Sequence, residues 1–555
     1  MKRWTIIQVN LALAALLLFS SGCSAAESAG PAAEAGQVTT QAAADTAAPA
    51  VPPAAAATAT PGSDPASASS AASAAPAQQP AGETPAPAQP KAPRATRAAQ
   101  GGGKQGGGGG KQGGAGAAPT AQSANPDFIA TEILGRPTDR SVTANVVPAT
   151  TMEISYEYGT TPGAYTGQTA PQSAAAGTPI ETLIDGLQPG TRYYYRLRYQ
   201  GSSGESAGPE RSFVTQRQPG SAFSFAIQGD SHPERYKNQF DPALYTRTLT
   251  SAAAAQPDFF LTIGDDFSVD TLKTVNPETV TALYVNQRQY LGLLGAPVFL
   301  VNGNHEQAAL ANLDGTPDNV AVWAQNARNA YYPQPAPDAF YSGDAEPVEH
   351  IGLLRDYYAW TWGDALFVVI DPYWHSPQAV DNTFGDRSQK KNRDLWNVTL
   401  GETQYQWLKQ TLESSPAKYK FVFAHHVHGT GRGGVELAGQ YEWGDAAGLA
   451  AYRPGWTQTI HQLMAENGVT IFFQGHDHLF ARQELDGVIY QTLPEPANPN
   501  YTIENASSYL SGDILPNSGH LQVNVTPSGV SVTYVRSYLD QPDEAAFTYT
   551  IPAPR

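Results

Sequence analysis

The chain has 555 residues, of which 50 are acidic and 33 are basic, and its formal net charge at pH 7 is −17. This length permits two or three domains, each with a core of its own. The acidic balance leaves no basic patch to displace counterions and argues against a nucleic-acid-binding surface. The single cysteine, Cys23, excludes a disulfide framework, so the folded parts must depend on their own cores or on bound metal.

The first 23 residues predict export. Lys2 and Arg3 precede an apolar run at 11–19, which ends in SSGC at 20–23. This pattern is typical of a secretory signal. Because Cys23 follows a small residue at the end of the apolar run, the segment resembles a bacterial lipoprotein signal and implies a lipid anchor at Cys23 in the cell envelope. The alternative is an ordinary cleaved signal and a soluble secreted or periplasmic protein.

Residues 24–125 consist almost entirely of Ala, Pro, Ser, Thr, Gln and Gly, and they include the run GGGKQGGGGGKQGG. Such a segment buries too little apolar surface to offset its conformational entropy. We therefore predict a disordered, extended linker between the signal and the folded domains.

Residues 126–218 alternate short β-like runs with turns, which predicts a small antiparallel, immunoglobulin-like sandwich. The segment LQPGTRYYYR at 187–196 resembles the fibronectin type III signature, and Tyr193 would be its corner tyrosine. The expected role is a spacer or a wall that packs against the next domain, with independent ligand recognition as the alternative.

From 219 to 555 the pattern changes to apolar strands interleaved with helical stretches, which predicts an α/β domain. The helices are predicted at 242–255, 278–293, 402–412 and 456–466, and closing antiparallel strands at 511–551. The predicted fold is a layered β-sandwich flanked by helices.

Five polar motifs follow directly after apolar runs of this domain. They are GDSH at 229–232, GDD at 264–266, GNHE at 303–306, AHH at 424–426 and GHDH at 475–478. Ligand groups in α/β sheets gather at the carboxyl ends of the strands, so the five motifs should converge. Seven of the eleven histidines lie in or beside them, whereas His350, His375, His461 and His520 lie outside and are expected to be structural.

The ordered set of motifs resembles the calcineurin-like metallophosphoesterase family over about 224–538. The resemblance implies a dinuclear metal site. The first metal would be bound by Asp230, His232, Asp265 and His478, and the second by the shared Asp265 with Asn304, His425 and His476. His305 would contact the phosphate or protonate the leaving oxygen. The run of histidines leaves His426 as the alternative to His425, and Arg432 in a glycine-rich stretch is a candidate for substrate binding.

The resemblance implies hydrolysis of small phosphate esters by in-line attack of a metal-bridging hydroxide. Ligands without sulfur suit Mn, Fe, Zn or Co. We expect a phosphomonoesterase; the alternatives are a phosphodiesterase acting on cyclic nucleotides or glycerophosphodiesters, and a surface binding protein without catalysis.

Two differences from known branches of the family limit the type of phosphoesterase that we expect. The order of domains resembles purple acid phosphatases, but His232 in the first motif and Ser268 at the position of their tyrosine ligand argue against a purple enzyme. The PhoD type uses a cysteine ligand, for which this chain offers only Cys23.

Overall fold

The computed structural model of the protein describes residues 125–307, 313–377, 394–429 and 431–554. All of them belong to one compact unit that spans 105–555. The predicted signal at 1–23, its Cys23 and nearly all of the predicted linker at 24–125 lie outside the described residues.

The first part of the described chain forms two antiparallel sheets. Its strands are β1 (Phe128–Gly135), β2 (Val142–Pro148), β3 (Met152–Gly159), β4 (Gly167–Gln168), β5 (Gln172–Ala174), β6 (Ile180–Ile184), β7 (Arg192–Gly201), β8 (Gly204–Ala207) and β9 (Arg211–Val214). One sheet has the order β1-β2-β6, and the other has the order β4-β3-β7-β8, with β5 on β3 and β9 on β7. A shared apolar cluster contains Val142 and Ala144 from the first sheet and Tyr156 and Tyr195 from the second. The two sheets therefore pack face to face.

A six-stranded sheet follows, in the order β12-β11-β10-β23-β24-β25. Its strands are β10 (Phe223–Gln228), β11 (Phe259–Thr262), β12 (Val298–Leu300), β23 (Gly519–Thr526), β24 (Gly529–Arg536) and β25 (Glu544–Pro552). Strands β10, β11 and β12 run parallel, and β23 pairs antiparallel with β10. The last strands of the chain thus complete the sheet that the first motifs begin.

The remaining strands are β13 (Ser342–Gly343), β14 (Pro347–Val348), β15 (Gly352–Leu353), β16 (Tyr358–Trp362), β17 (Ala365–Val369), β18 (Tyr419–Phe423), β19 (Ile471–Gln474), β20 (Phe480–Leu485), β21 (Val488–Thr492) and β22 (Asp513–Leu515). Apart from the small β14-β15 pair, they form one sheet in the order β13-β16-β17-β18-β19-β21-β20-β22. Strands β17, β18 and β19 are parallel, so their carboxyl ends share one edge.

The helices in the described part of the chain are α1 (Pro242–Ala254), α2 (Pro277–Leu291), α3 (Asn304–Gln307), α4 (Val320–Tyr331), α5 (Gly401–Ser414), α6 (Val435–Ala438), α7 (Tyr441–Gly444), α8 (Ala446–Tyr452) and α9 (Ile460–Glu466). One apolar cluster joins the facing sides of the two large sheets. A second apolar cluster lies between the six-stranded sheet and α1, α2 and α4. A third lies between the eight-stranded sheet and α5 and α9. The predicted α/β class, a layered β-sandwich flanked by helices, is confirmed.

The predicted helix at 456–466 starts too early. Helix α9 begins at Ile460, because Thr459 is its N-cap and accepts a hydrogen bond from the backbone of Gln462. The side chain of Gln462 accepts from the N-cap backbone in return, which completes a capping box. Trp456 instead stacks on Tyr405, with ring centroids 3.7 Å apart.

Candidate metal centre

The five motifs lie at the carboxyl ends of five strands, as their sequence context predicts. Three follow β10, β11 and β12 of one sheet, and two follow β18 and β19 of the other. Because the two sheets face each other across one core, both sets of strand ends lead into the same space. The polar groups of the motifs are therefore brought together by two sheets rather than by one.

Asp230, His232 and His478 direct their ligand atoms at one point. The Nε2 atoms of the two histidines are 3.2 Å apart. Asp230 Oδ2 lies 3.2 Å from His478 Nε2 and 3.6 Å from His232 Nε2. On the far side of the rings, Nδ1 of His232 lies 2.8 Å from Glu234, and Nδ1 of His478 lies 3.2 Å from Glu495. The carboxylate of Glu234 favours a proton at Nδ1 of His232, which turns the Nε2 lone pair of His232 toward the shared point.

Asp265, Asn304 and His425 form a second such group. His425 donates its Nδ1 proton to the carbonyl oxygen of Ile263 at 2.8 Å, which turns Nε2 toward the other two side chains. That Nε2 lies 3.1 Å from Asn304 Oδ1 and 3.2 Å from Asp265 Oδ2. A cation among these atoms would meet a carboxylate oxygen, an amide oxygen and an imidazole nitrogen. The donor set therefore fits a metal ion.

His476 completes this second group. Its Nδ1 is buried and has no hydrogen-bond partner in the described part of the chain. Ligand atoms that all lie within 4.8 Å of one another come from Asp230, Asp265, His425 and His476. Asp265 Oδ2 also lies 3.6 Å from His232 Nε2, so this carboxylate reaches both groups.

Burial and the neighbouring carboxylates shift the pKa values of the histidines in opposite directions. Burial lowers the pKa of His478 to about 3, so its imidazole is neutral at pH 7, the form that binds a cation. Burial would also lower the pKa of His425, but the carboxylates of Asp265 and Asp230 outweigh it and raise that pKa to about 10. The centre thus favours positive charge strongly at this position.

Four residues of the site have left-handed backbone conformations, with φ of 44° at His232, 59° at Asp265, 66° at His476 and 59° at His478. Such conformations cost on the order of 1–3 kcal/mol each in residues other than glycine, and they cluster at functional sites. Gly475 permits the close approach of the loops, because a Cβ there would collide with a carboxylate oxygen of Asp230.

Glu306 holds two of the loops together, a role that its sequence context does not predict. Its carboxylate accepts hydrogen bonds from the backbone N–H groups of Gly303, Asp265, Asp266 and Phe267, at 2.7–3.0 Å. The only sequence signal was an acidic residue inside a motif that already carried ligands. Burial and the charge of Glu306 raise the pKa of the neighbouring Asp266 to about 7.

His305 borders the two groups, and one of its ring nitrogens lies within 4.8 Å of ligand atoms of His232 and Asp265. Its Nε2 is 3.8 Å from Asp265 Oδ2, and its Nδ1 is 2.7 Å from Asp270 Oδ1. Burial alone would lower the pKa of His305, but Asp270 and Asp265 outweigh it and raise that pKa to about 10. Asp270 was another partner that the sequence analysis did not identify.

The structure separates the two adjacent histidines of AHH by their contacts. His425 reaches Asp265 and Asn304, whereas Nδ1 of His426 lies 2.6 Å from the hydroxyl of Tyr373. The ring centroid of His426 lies 3.7 Å from that of His476, with the rings tilted by 47°, and one ring nitrogen of His426 lies within 4.8 Å of ligand nitrogens of His425 and His476. His426 therefore contacts the centre from one side.

Two arginines border the centre. Arg432 donates to the carbonyl oxygen of His476 and to Asp477, and its side chain is 37% exposed. Arg235, which the sequence analysis did not single out, places Nη1 3.5 Å from Nδ1 of His478. Both bring positive charge to the edge of a cluster that is rich in carboxylates.

Comparisons with known proteins agree with this geometry. Residues 223–480 match the family model described as calcineurin-like phosphoesterase. No curated protein sequence matches the chain.

Two solved structures show the same fold. One is a structure of PhoD, with 15% identity, a TM-score of 0.57, and coverage of 78% of this chain and 91% of the other. Another is the purple acid phosphatase PPD1 from seeds of yellow lupin (Lupinus luteus), with 16% identity, a TM-score of 0.51, and coverage of 77% and 75%. Within the described ranges, no helix is long and apolar enough to cross a membrane.

Proposed function

We propose that the protein is an exported, dinuclear-metal-dependent phosphoesterase that hydrolyses phosphate monoesters. The observation that carries the proposal is the convergence of imidazole nitrogens and carboxylate oxygens, with the Nε2 atoms of His232 and His478 only 3.2 Å apart. Side chains in this arrangement are stable when cations lie between them.

Seven side chains would hold the two ions. We assign Asp230, His232 and His478 to the first ion, Asn304, His425 and His476 to the second, and Asp265 to both. Two bound cations would activate a water as nucleophile and neutralise the phosphoryl oxygens. Nitrogen and oxygen donors suit Mn, Fe, Zn or Co. His425 is assigned in preference to His426, because it faces Asp265 and Asn304 directly.

His305 would hold a proton at Nε2 beside the reacting phosphate and donate it to the leaving oxygen. The Nδ1 contact with Asp270 keeps the ring oriented and favours the protonated form. A general acid at this position assists substrates whose leaving alcohol is a poor one.

The two bordering arginines favour monoesters over diesters. A monoester carries up to two negative charges at neutral pH and a diester carries one, so additional cations contribute more to binding the monoester. Arg432 would provide such a charge in addition to anchoring the loop at 475–478, and Arg235 would do so from the side of His478.

The test compares initial rates on a nitrophenyl phosphate monoester and on the bis-ester, with the full chain loaded with Mn²⁺ and a chelated control. We expect chelator-sensitive turnover with preference for the monoester. Preference for the diester would overturn the substrate assignment while keeping the metal assignment. If neither ester is hydrolysed although two ions per chain are bound, the enzymatic proposal fails and a binding role takes its place.

The remaining part of the proposal concerns location. A lipid at Cys23 and an extended segment at 24–125 would hold the catalytic domain at a distance from a membrane surface. The fibronectin type III-like module at 126–218 would serve as a wall against this domain. Cys23→Ala should move the protein from the membrane fraction to the soluble fraction, and an unchanged distribution would exclude the lipid anchor.

A further inference from the structure

A second group of ligand-type side chains lies outside the catalytic centre. Asp344 follows β13, Asp356 precedes β16, and His375 follows β17. Gly343 at the end of β13 pairs with Tyr358 at the start of β16, and Tyr358 pairs with Val369 at the end of β17. Sheet topology therefore brings three residues from distant parts of the chain to one edge.

The side chains at this edge approach one another closely. One oxygen of Asp344, one oxygen of Asp356 and a nitrogen of His375 all lie within 4.8 Å of one another. His375 Nε2 is 4.0 Å from Asp356 Oδ2. Asp344 and Asp356 are 2% and 0% exposed, and the His375 side chain is 23% exposed, so both carboxylates are buried and part of the imidazole ring reaches the surface.

The inner atoms of the group have no hydrogen-bond partner. Oδ2 of Asp344, Oδ2 of Asp356 and Nε2 of His375 are buried and unpaired in the described part of the chain. The outer oxygens, in contrast, are used: Oδ1 of Asp344 accepts from the N–H of Glu346, and Oδ1 of Asp356 accepts from the N–H of Tyr357. These bonds orient both carboxylates so that one oxygen of each remains available.

Among the ion pairs of the described residues, the one that involves either carboxylate joins Asp356 to His375, at 4.0 Å. Among the described residues, no lysine or arginine forms an ion pair with either carboxylate. Burial, together with the charges of Asp371 and Asp344, raises the pKa of Asp356 well above its usual range. Buried carboxylates without a partner are unfavourable unless they bind a proton or a cation.

We propose that Asp344, Asp356 and His375 bind a third divalent cation, of the kind that takes mixed oxygen and nitrogen ligands, such as Zn²⁺. Two carboxylates and one imidazole supply three ligands without sulfur, and a water would complete the coordination. The two carboxylate charges match the charge of the ion. This site is separate from the catalytic pair and does not depend on the proposed function.

Asp371 connects this site to a loop of the catalytic centre. Asp371, whose charge acts on Asp356, accepts a hydrogen bond from Nδ2 of Asn302 at 2.8 Å. Asn302 lies two residues before the proposed ligand Asn304. A cation at the third site would reduce the repulsion between Asp356 and Asp371 and would stabilise this edge of the sheet.

The test counts bound zinc by mass spectrometry after dialysis of the full chain against Zn²⁺. We expect His375→Ala to bind one ion fewer per chain than the parent protein. His350→Ala, which removes a partly exposed histidine outside any such group, should bind as many ions as the parent. The difference of one ion is expected whether or not the catalytic pair is filled, so failure of the proposed function would not affect it. Equal zinc content in the parent and in His375→Ala would overturn the proposal.

A direct measurement covers the case in which a variant folds poorly. Crystals of the unchanged protein soaked in Zn²⁺ should show anomalous density between the three side chains. Its absence at this edge, in crystals with zinc at the catalytic centre, would indicate that Asp356 holds a proton instead and would overturn the proposal.

Discussion

The metal centre and the contact between α2 and the β1-β2-β6 sheet both bury charged side chains, but they satisfy them in different ways. Arg288 of α2 is fully buried. Its N–H groups donate to the carbonyl oxygens of Thr131, Asn145 and Tyr331 and to the side-chain oxygen of Asn145. All five donors of the guanidinium have a protein acceptor.

At the metal centre, in contrast, buried imidazole nitrogens and carboxylate oxygens of several side chains point toward one another. The Nε2 atoms of His232 and His478 lie 3.2 Å apart, and Nδ1 of His476 has no hydrogen-bond partner in the described residues. Buried polar side chains therefore have two roles in this molecule. A buried charge whose hydrogen bonds are all made joins two parts of the fold, whereas buried ligand-type side chains that converge on one another indicate a bound ligand.

The largest effect is expected at Asp265, the carboxylate that reaches both groups. Asp265→Asn should reduce turnover by about 10³-fold or more, because it removes a charge on which both proposed ions depend. Bound metal, measured by mass spectrometry, should fall in parallel. Asp486→Asn changes an exposed carboxylate and serves as the matched control. Unchanged activity and metal content in Asp265→Asn would contradict the assignment of a shared ligand.

Removal of the buried Arg288 side chain is predicted to lower the stability of the protein without loss of metal. Arg288→Leu would leave several buried carbonyl oxygens without donors, and we expect the free energy of unfolding to fall by about 3–5 kcal/mol. Urea unfolding followed by fluorescence measures this change. Arg247→Leu, which breaks a partly exposed ion pair with Asp543, should cost no more than about 1 kcal/mol. Equal stability of the two variants would show that Arg288 does not join the module to the domain.

Sequence patterns predicted the layered α/β fold and the strand-end position of the motifs, because both are local. An apolar run followed by GDSH or GHDH carries its strand and its polar end in about ten residues. Convergence follows from the general behaviour of parallel strands. The start of α9 was misplaced because its capping box, and not hydrophobicity, sets the boundary.

The supporting residues could not be predicted in the same way. Glu306 binds backbone N–H groups some 40 positions away, and Asp270 meets His305 only because two loops fold onto each other. His375 was expected to be structural, since no motif surrounds it. Its association with Asp344 and Asp356 depends on the pairing of β13, β16 and β17, which is information about the fold.

The smallest predicted effect concerns the pH dependence of the proton donor. Asp270 favours the charged form of His305, so Asp270→Asn should lower the pKa of His305. The acid form is then lost at lower pH, and the alkaline limb of kcat/KM should move down by about one to three units. A substrate with a poor leaving group is required, since only such a substrate needs the proton.

His305→Ala separates this shift from a general loss of structure. It should keep its metal content, lose about 10²- to 10⁴-fold in rate on the same substrate, and show no alkaline limb from this group. If Asp270→Asn instead lowers the rate equally at all pH values, Asp270 only positions the ring. Because Asp265 is also a proposed metal ligand, Asp270 is the carboxylate that can be removed without disturbing the metal centre, and its variant is therefore the sharper test of how the proton is held.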